Sequence, residues 1–437
     1  MNTIHYVASS KCAKRSAARR LRHACWPLVA GLLALAAPVH AAELPEGTVI
    51  SKANLDKIKN DTFMGHTIAS LLTKQMEMQV REQNMTYPLA RSPEPTLSPE
   101  FWDATKKYSG QVKFDTKTRE VSGYEAGLPF PNIVETDPNA GDKIMWNAYY
   151  GFSVGKDLAY ALSFITVGSR GFESNATFAF ERIDNKGRLG EKAHTLADAD
   201  VRSKAIFVGV SPQDVKGVGT YAIRYDMPNK AEDTWAYIKS ARRTRRLSGS
   251  AWMDPVGGFD FIQDDSYVYN ARPSQYVQNK LLEKRWILVV TDFKGKRDLT
   301  KIGSPDEWDY MRLRDAPYWN PVLNWTPREV WVVEGTPPPE HPYSKKVIYM
   351  DAKIPGVYRG ESYDKKGDIW RVSQQHFANK VGEASGLKYF LAISGEFIDF
   401  QAKHGTVFSA GKVTIDQANV KWSDWSIEGL ERPRSIK

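Results

Sequence analysis

Beyond residue 41 the sequence contains no cysteine, since its two cysteines are Cys12 and Cys25. Without thiols, that part of the chain cannot form disulfides, a thiolate metal site or a cysteine nucleophile. It also has no apolar run approaching the ~20 residues that a membrane-spanning helix needs. These absences predict a protein that folds in water around an ordinary hydrophobic core.

Recognisable catalytic and metal-binding patterns are also scarce. The sequence has neither the G-x-x-x-x-G-K phosphate loop nor the H-E-x-x-H zinc motif. We also expect no G-x-S-x-G elbow of a hydrolase. The acid pair Asp264-Asp265 could form a hydrolase dyad, but we interpret it as carboxylates of a surface loop. We therefore predict no enzymatic activity, no metal site and no cofactor. No two histidines beyond residue 41 lie within metal-ligand spacing; these are His66, His194, His341, His376 and His404.

Residues 1–41 have the pattern of a secretory signal peptide. Six basic residues and no acidic one precede an apolar stretch over 25–37, and small residues follow before Ala42. Removal of this segment lowers the formal net charge from +9 to +3. So small a charge removes the electrostatic drive for nucleic-acid binding, so we expect no nucleic-acid partner. We expect residues 42–437 to be a soluble protein of the bacterial periplasm.

The portion over about 42–150 is predicted to be rich in helices. Apolar residues at helical spacing indicate helices over 65–82 and 142–150, and Ser98 followed by proline marks the start of another. Two short runs around a polar turn predict a hairpin over 111–124.

From about residue 155 apolar and polar residues alternate with the period of two that is typical of strands. Around Val330 apolar residues occupy both faces, which predicts a strand buried on both sides. Polar turns at 184–187 and 364–367 end in glycine and predict short hairpin loops. The strands are predicted over 158–167, 176–183, 204–210, 220–227, 234–239, 285–292, 328–334, 346–351, 357–363 and 369–375.

Strands joined by short turns without intervening helices pair antiparallel. We therefore predict an α+β fold with one large curved antiparallel sheet, an unclosed β-barrel, wrapped over helices in a single domain over 42–437. A sheet curved in this way can leave an apolar cleft, and the chain has 13 Trp, 20 Tyr and 18 Phe to line one.

Three groups of residues are candidates for function. Strand alternation selects a ligand-binding group, which is Tyr221, Ile223, Tyr225, Trp235 and Tyr237. Four clustered arginines either contact an anionic group or a partner, or pair with carboxylates of neighbouring strands; they are Arg242, Arg243, Arg245 and Arg246. A glycine pair before two phenylalanines predicts a lid loop, formed by Gly257, Gly258, Phe259 and Phe261.

The motif Thr-Trp-Ala-Tyr at 234–237, with the arginine cluster at 242–247 and Gly-Gly-Phe-Asp-Phe at 257–261, resembles a bacterial exported family. That family is known as domain of unknown function thirteen-twenty-nine, and it looks like an enlarged relative of the periplasmic lipoprotein carriers LolA and LolB. The resemblance implies a LolA/LolB-like fold, an apolar cavity and a hydrophobic cargo. It also implies two partners, a resistance-nodulation-division-type exporter and an outer-membrane protein. No lipid-anchor cysteine follows residue 41, so we expect a protein without a lipid tether.

The sequence therefore favours a soluble periplasmic carrier of a lipid or another hydrophobic compound. Two alternatives stay open at this point. One is a secreted hydrolase of a lipid or polymer, and the other is an adaptor subunit of an envelope transport complex. A carrier requires a cavity in the core, whereas an adaptor without cargo is expected to have a solid one.

Overall fold

The computed structural model describes residues 41–151, 155–191, 194–198, 200–238 and 243–431. The predicted signal peptide, apart from its last residue, and Arg242 lie outside the described residues. No helix in the described ranges is long and apolar enough to span a bilayer.

The described residues 41–151 contain five α-helices. They are α1 (Leu55–Ile58), α2 (Ile68–Leu71), α3 (Lys74–Gln83), α4 (Pro99–Tyr108) and α5 (Ala140–Gly151). The single helix predicted over 65–82 is wrong, because α2 ends before Leu72 adopts an extended conformation. The side chain of Thr73 then caps α3 by accepting a hydrogen bond from the backbone N–H of Met76 at 3.1 Å. The helices predicted after Ser98 and over 142–150 are confirmed.

Thirteen strands form the main sheet. They are β1 (Asp157–Gly168), β2 (Gly171–Asp184), β3 (Val201–Ser211), β4 (Gly219–Tyr225), β5 (Asp233–Ile238), β6 (Arg243–Arg246), β7 (Gln278–Val289), β8 (Thr326–Thr336), β9 (Lys345–Asp351), β10 (Val357–Tyr363), β11 (Ile369–Val381), β12 (Lys388–Asp399) and β13 (His404–Ile415).

The strand order is β6-β5-β4-β3-β2-β1-β13-β12-β11-β10-β9-β8-β7, and every neighbouring pair is antiparallel. The edge strands β6 and β7 do not pair with each other, so the sheet is not closed into a barrel. The predicted unclosed antiparallel sheet with helices is confirmed.

Short two-stranded ladders accompany the main sheet. One of them, Lys113–Phe114 with Val121–Ser122, is the hairpin predicted over 111–124. The others pair Val49–Ile50 with Tyr87–Pro88, Thr62–Phe63 with His66–Thr67, and Met311–Arg312 with Asn320–Pro321.

The predicted turn at 364–367 is confirmed, because Tyr363 pairs with Ile369 across it. The short hairpin predicted at 184–187 is wrong, since the next strand starts only at Val201. The buried amide of Asn185 explains this longer connection. Its Nδ2 donates to the carbonyl oxygens of Asp198 and Val201, both at 2.6 Å, and so holds the end of the connection against its beginning.

The strand β8 is buried on both faces, as its sequence predicts. Val330 and Val332 belong to one apolar cluster with β7, β9 and β10, whereas Trp331 and Val333 face a second cluster with Ile144 of α5. A third cluster packs helices α1 to α3 against Trp325 and other residues of the sheet and its loops. Helices and loops therefore cover the sheet, and a large cavity lies beside β1 to β5.

Candidate ligand cavity

The cavity lies between strands β1 to β5 and a covering segment over 247–275. Its volume is about 630 Å³, within the ~300–1,000 Å³ usual for small-molecule sites. Side chains from β11, β12 and β13 complete its wall. The space is therefore large enough for a small organic molecule.

Stacked phenylalanines form the apolar part of the wall. The rings of Phe178 and Phe207 stack with centroids 4.6 Å apart, and Phe164 stacks on Phe259 of the covering segment at 4.9 Å. Phe261 of the same segment stacks on a ring of β12 at 4.2 Å. Such pairs contribute about 0.5–1.5 kcal/mol beyond their buried area. The covering segment is thus held to the sheet partly by rings that also face the cavity.

Two arginines also line the cavity, and carboxylates neutralise both. The Nε of Arg224 donates to Glu232 at 2.8 Å, and the Nε of Arg272 donates to Glu120 at 2.9 Å. The Nη1 of Arg272 has no hydrogen-bond acceptor and lies 3.8 Å from Asp226. Burial alone would lower the pKa of Arg224, but the negative charge of Glu232 outweighs it and raises that pKa. Both guanidinium groups therefore stay charged with their charge already compensated.

A buried ion cluster anchors the covering segment. Lys346 of β9 lies with its Nζ 2.9 Å from Asp264 and 2.8 Å from Asp265. The hydroxyls of Tyr276 and Tyr343 donate to these two carboxylates, each at 2.6 Å. All five side chains are buried. The interpretation of the acid pair as surface carboxylates is thus wrong, because the pair compensates a lysine that no water reaches.

The charges of this cluster stabilise one another. Burial would raise the pKa of Asp264, but Lys346 and His341 outweigh it and hold the pKa below its usual value. Burial would likewise lower the pKa of Lys346, and the two carboxylates raise it instead. These opposite shifts keep Lys346 and Asp264 in their charged forms despite their burial.

A histidine ties the tip of the covering segment to the sheet. The Nδ1 of His404 lies 2.7 Å from Asp260, between the two phenylalanines of the loop, and its Nε2 lies 3.0 Å from Glu173. The hydroxyl of Thr406 donates to Asp260 at 2.6 Å. Burial would lower the pKa of His404, but the hydrogen bonds to Glu173 and Asp260 raise it. This contact, the His404 latch, is strongest when the imidazole is charged.

The predicted lid loop lies over the cavity. Gly257, Phe259 and Phe261 are among its lining residues. Gly257 and Gly258 have φ values of +55° and +83°, a region that side-chain-bearing residues rarely adopt, so the sharp turn needs both glycines. The position of the loop agrees with a lid, and its opening stays a prediction.

Four of the five predicted ligand-binding residues face away from the cavity. Tyr221, Ile223, Trp235 and Tyr237 pack on the opposite face of β4 and β5, against the C-terminal segment around Trp425. Neighbouring residues of the same strands line the cavity instead, because side chains alternate between faces. These residues are Thr220, Ala222, Arg224, Thr234 and Ala236, and the fifth prediction, Tyr225, lines it as well.

The described arginines of the cluster divide between the two faces of the edge strand β6. Arg246 pairs with Asp233 and lies with its guanidinium 5.9 Å from the ring of Trp235. Arg243 and Arg245 are exposed and form no ion pair within the described chain. The pairing alternative thus holds for Arg246, and the contact alternative stays a prediction for the other two.

The sequence pattern of a hydrolase elbow is present once, contrary to the expectation that it is absent. Residues 151–155 read Gly-Phe-Ser-Val-Gly, which matches the G-x-S-x-G pattern of a hydrolase elbow. Such an elbow follows a strand and precedes a helix. Here Gly151 ends helix α5 and the strand β1 follows, so the order is reversed. Ser153 itself lies outside the described residues, and within them no His, Cys, Asp and Glu group is arranged to hold a metal ion.

Several known proteins are similar to this chain. It is 29% identical over 147 residues to "Uncharacterized protein PA3922" of Pseudomonas aeruginosa, which covers 32% of this chain and 30% of that protein. A crystal structure of a DUF1329 family protein from Desulfovibrio piger aligns with 15% identity and a TM-score of 0.47, over 68% of this chain and all of the other. A putative outer membrane lipoprotein-sorting protein domain from Vibrio parahaemolyticus aligns with 16% identity and a TM-score of 0.42, over 64% of this chain and 93% of that domain.

A family match covers a larger share of the chain than each of these alignments. Residues 49–430 match the family described as "Protein of unknown function (DUF1329)", which agrees with the resemblance of its arginine and Gly-Gly-Phe-Asp-Phe motifs. Because this match extends over nearly all of the described residues, the chain belongs to the DUF1329 family.

Proposed function

We propose that this protein is a periplasmic carrier that binds a hydrophobic compound in the cavity beneath the covering segment. The observation that carries the proposal is the 630 Å³ space lined by stacked phenylalanines. Apolar surface in contact with water costs about 25 cal/mol per Å². A hydrophobic ligand that covers these rings removes that cost, and its own surface is shielded in the same step.

The cavity favours the carrier over the adaptor alternative, for which a solid core was the expectation. The hydrolase alternative gains no support from the cavity, because the buried and half-buried charged groups that line or anchor it are engaged in ion pairs. Arg224 is paired with Glu232, and the buried Asp264 and Asp265 are compensated by Lys346. The exporter and outer-membrane partners implied by the resemblance stay predictions.

A neutral fluorescent dye, N-phenylnaphthylamine, tests the proposal because its emission rises in apolar surroundings. We expect saturable binding to the protein without its signal peptide. Ala222→Trp places an indole in the cavity and should weaken binding at least tenfold. Ala402→Trp adds the same side chain at an exposed turn and should leave binding unchanged.

Circular dichroism of both variants shows whether each keeps the fold, so that lost binding can be assigned to the filled cavity. Dye binding that is absent from the original protein, or that is equal in Ala222→Trp and Ala402→Trp, would exclude this cavity as the binding site.

A further inference from the structure

We infer that the ligand is an amphiphile with an anionic head group, whose tail lies among the phenylalanines and whose head contacts Arg243 and Arg245. This inference rests on the proposed function and specifies the chemistry of its cargo. It follows from three observations, which are the register of the edge strand, the pairing of the other charges and the position of the cavity mouth.

Strand register places the two arginines on the cavity side of the sheet. In an antiparallel pair, directly opposite residues project from the same face. Arg245 is opposite Ala236, which lines the cavity, and Arg243 is opposite Ile238, two residues further along the same face. Arg246 is opposite Trp235 and therefore projects from the other face.

The charges inside the cavity are already compensated, and those of the two rim arginines are not. Arg224 and Arg272 have carboxylate partners, so an anionic head drawn inside would compete with a buried ion pair and would lose its hydration. Arg243 and Arg245 are exposed and unpaired within the described chain. An anion at the rim would gain contacts without being buried.

Arg243 and Arg245 do not line the cavity themselves, but an exposed residue of its lining lies next to them, and we take that place as the cavity mouth. Leu247 lines the cavity, is 38% exposed and follows Arg245 by two residues on the same face. At about 3.3 Å per residue, the two Cα atoms are about 7 Å apart. Among the charged residues that line the cavity, Lys230 and Asp254 are the exposed ones. The cations exceed the carboxylates at this opening, so an anionic head group is attracted to the arginines. The tail can then enter the cavity past Leu247.

Competition against bound N-phenylnaphthylamine tests the inference at low ionic strength and about pH 8, with ligands below their micelle concentration. Decanoate and decanol have the same tail and differ in the charge of the head. We expect decanoate to displace the dye about tenfold more effectively, since each exposed ionic contact contributes modestly. Acetate, which has the head without a tail, should not displace the dye.

The double variant Arg243→Gln with Arg245→Gln should reduce the preference for decanoate over decanol to about twofold or less. Arg246→Gln removes the same charge from the other face of the strand and should keep the preference. An equal preference in the double variant and the original protein would overturn the inference, as would displacement by acetate. Dye binding without a preference for decanoate over decanol would overturn this inference alone. If the original protein does not bind the dye at all, the proposed function itself fails.

Discussion

The buried lysine of the ion cluster provides a strong test of how the covering segment is held. Lys346→Met keeps a side chain of similar length and removes the charge between Asp264 and Asp265. Both carboxylates would then be buried without the lysine that they share, and breaking a buried ion pair from one side costs about 3–5 kcal/mol. A folded domain has only about 5–15 kcal/mol of stability, so the loss would be a large share of the total.

The neighbouring residue is the matched control. Lys345 contacts Glu334 at 3.2 Å, but its side chain is 39% exposed, and pairs of this kind contribute about 0–1 kcal/mol. Urea unfolding followed by tryptophan fluorescence should therefore show a much larger decrease in the free energy of unfolding for Lys346→Met than for Lys345→Met.

Restoring charge balance separates the ionic effect from packing. Lys346→Met combined with Asp264→Asn and Asp265→Asn has no uncompensated carboxylate and should recover most of the lost stability. The reasoning is refuted if Lys346→Met costs no more than Lys345→Met, or if the triple variant is as unstable as the single one.

Two further predictions concern the latch and the opposite face of the sheet. Because the pKa of His404 is raised in the folded protein, the latch contributes fully below the unfolded value of about 6.5 and is lost as the pH rises through the raised value. Hydrogen exchange of the loop over 255–261 should accelerate across that range in the original protein, whereas His404→Gln should exchange rapidly at every pH. If the ratio of the two exchange rates does not change with pH, the His404 latch is contradicted. Trp425 is 1% exposed, so Trp425→Ala should lower the free energy of unfolding in urea by about 3–5 kcal/mol. Trp102 is 39% exposed, so the control Trp102→Ala should lower it by less than about 1 kcal/mol. Equal losses would show that Trp425 does not stabilise the face of β4 and β5 that lies opposite the cavity.

Much of the sheet could be predicted because alternation is visible in a single strand. The strand predicted over 357–363 matches β10, and the apolar run around Val330 correctly indicated burial on both faces. The strands β12 and β13 were not among the predicted ones. In β12 nearly every residue is buried, so its sequence does not alternate and lacks the signal on which the other predictions depend.

The candidate site was harder to predict, since alternation shows that two faces differ but not which face borders a cavity. Strand alternation selected Tyr221 and Trp235 as residues of an apolar face, yet large apolar residues also fill a solid core. The C-terminal segment around Trp425 determines which face borders the cavity. It covers the face of Tyr221 and Trp235, so Ala222 and Ala236 face the cavity instead. The pairing of Lys346 with Asp264 joins residues 82 positions apart, which no local pattern reveals.

The edge strand β6 has a consequence for how copies of the protein behave together. A strand at the border of an open sheet has backbone groups without partners on one side, which can template pairing with another chain. In the described part of the chain that border strand has four residues, and three of them are arginines. Mutual repulsion between such strands opposes their alignment, so the protein can keep its sheet open without polymerising through it.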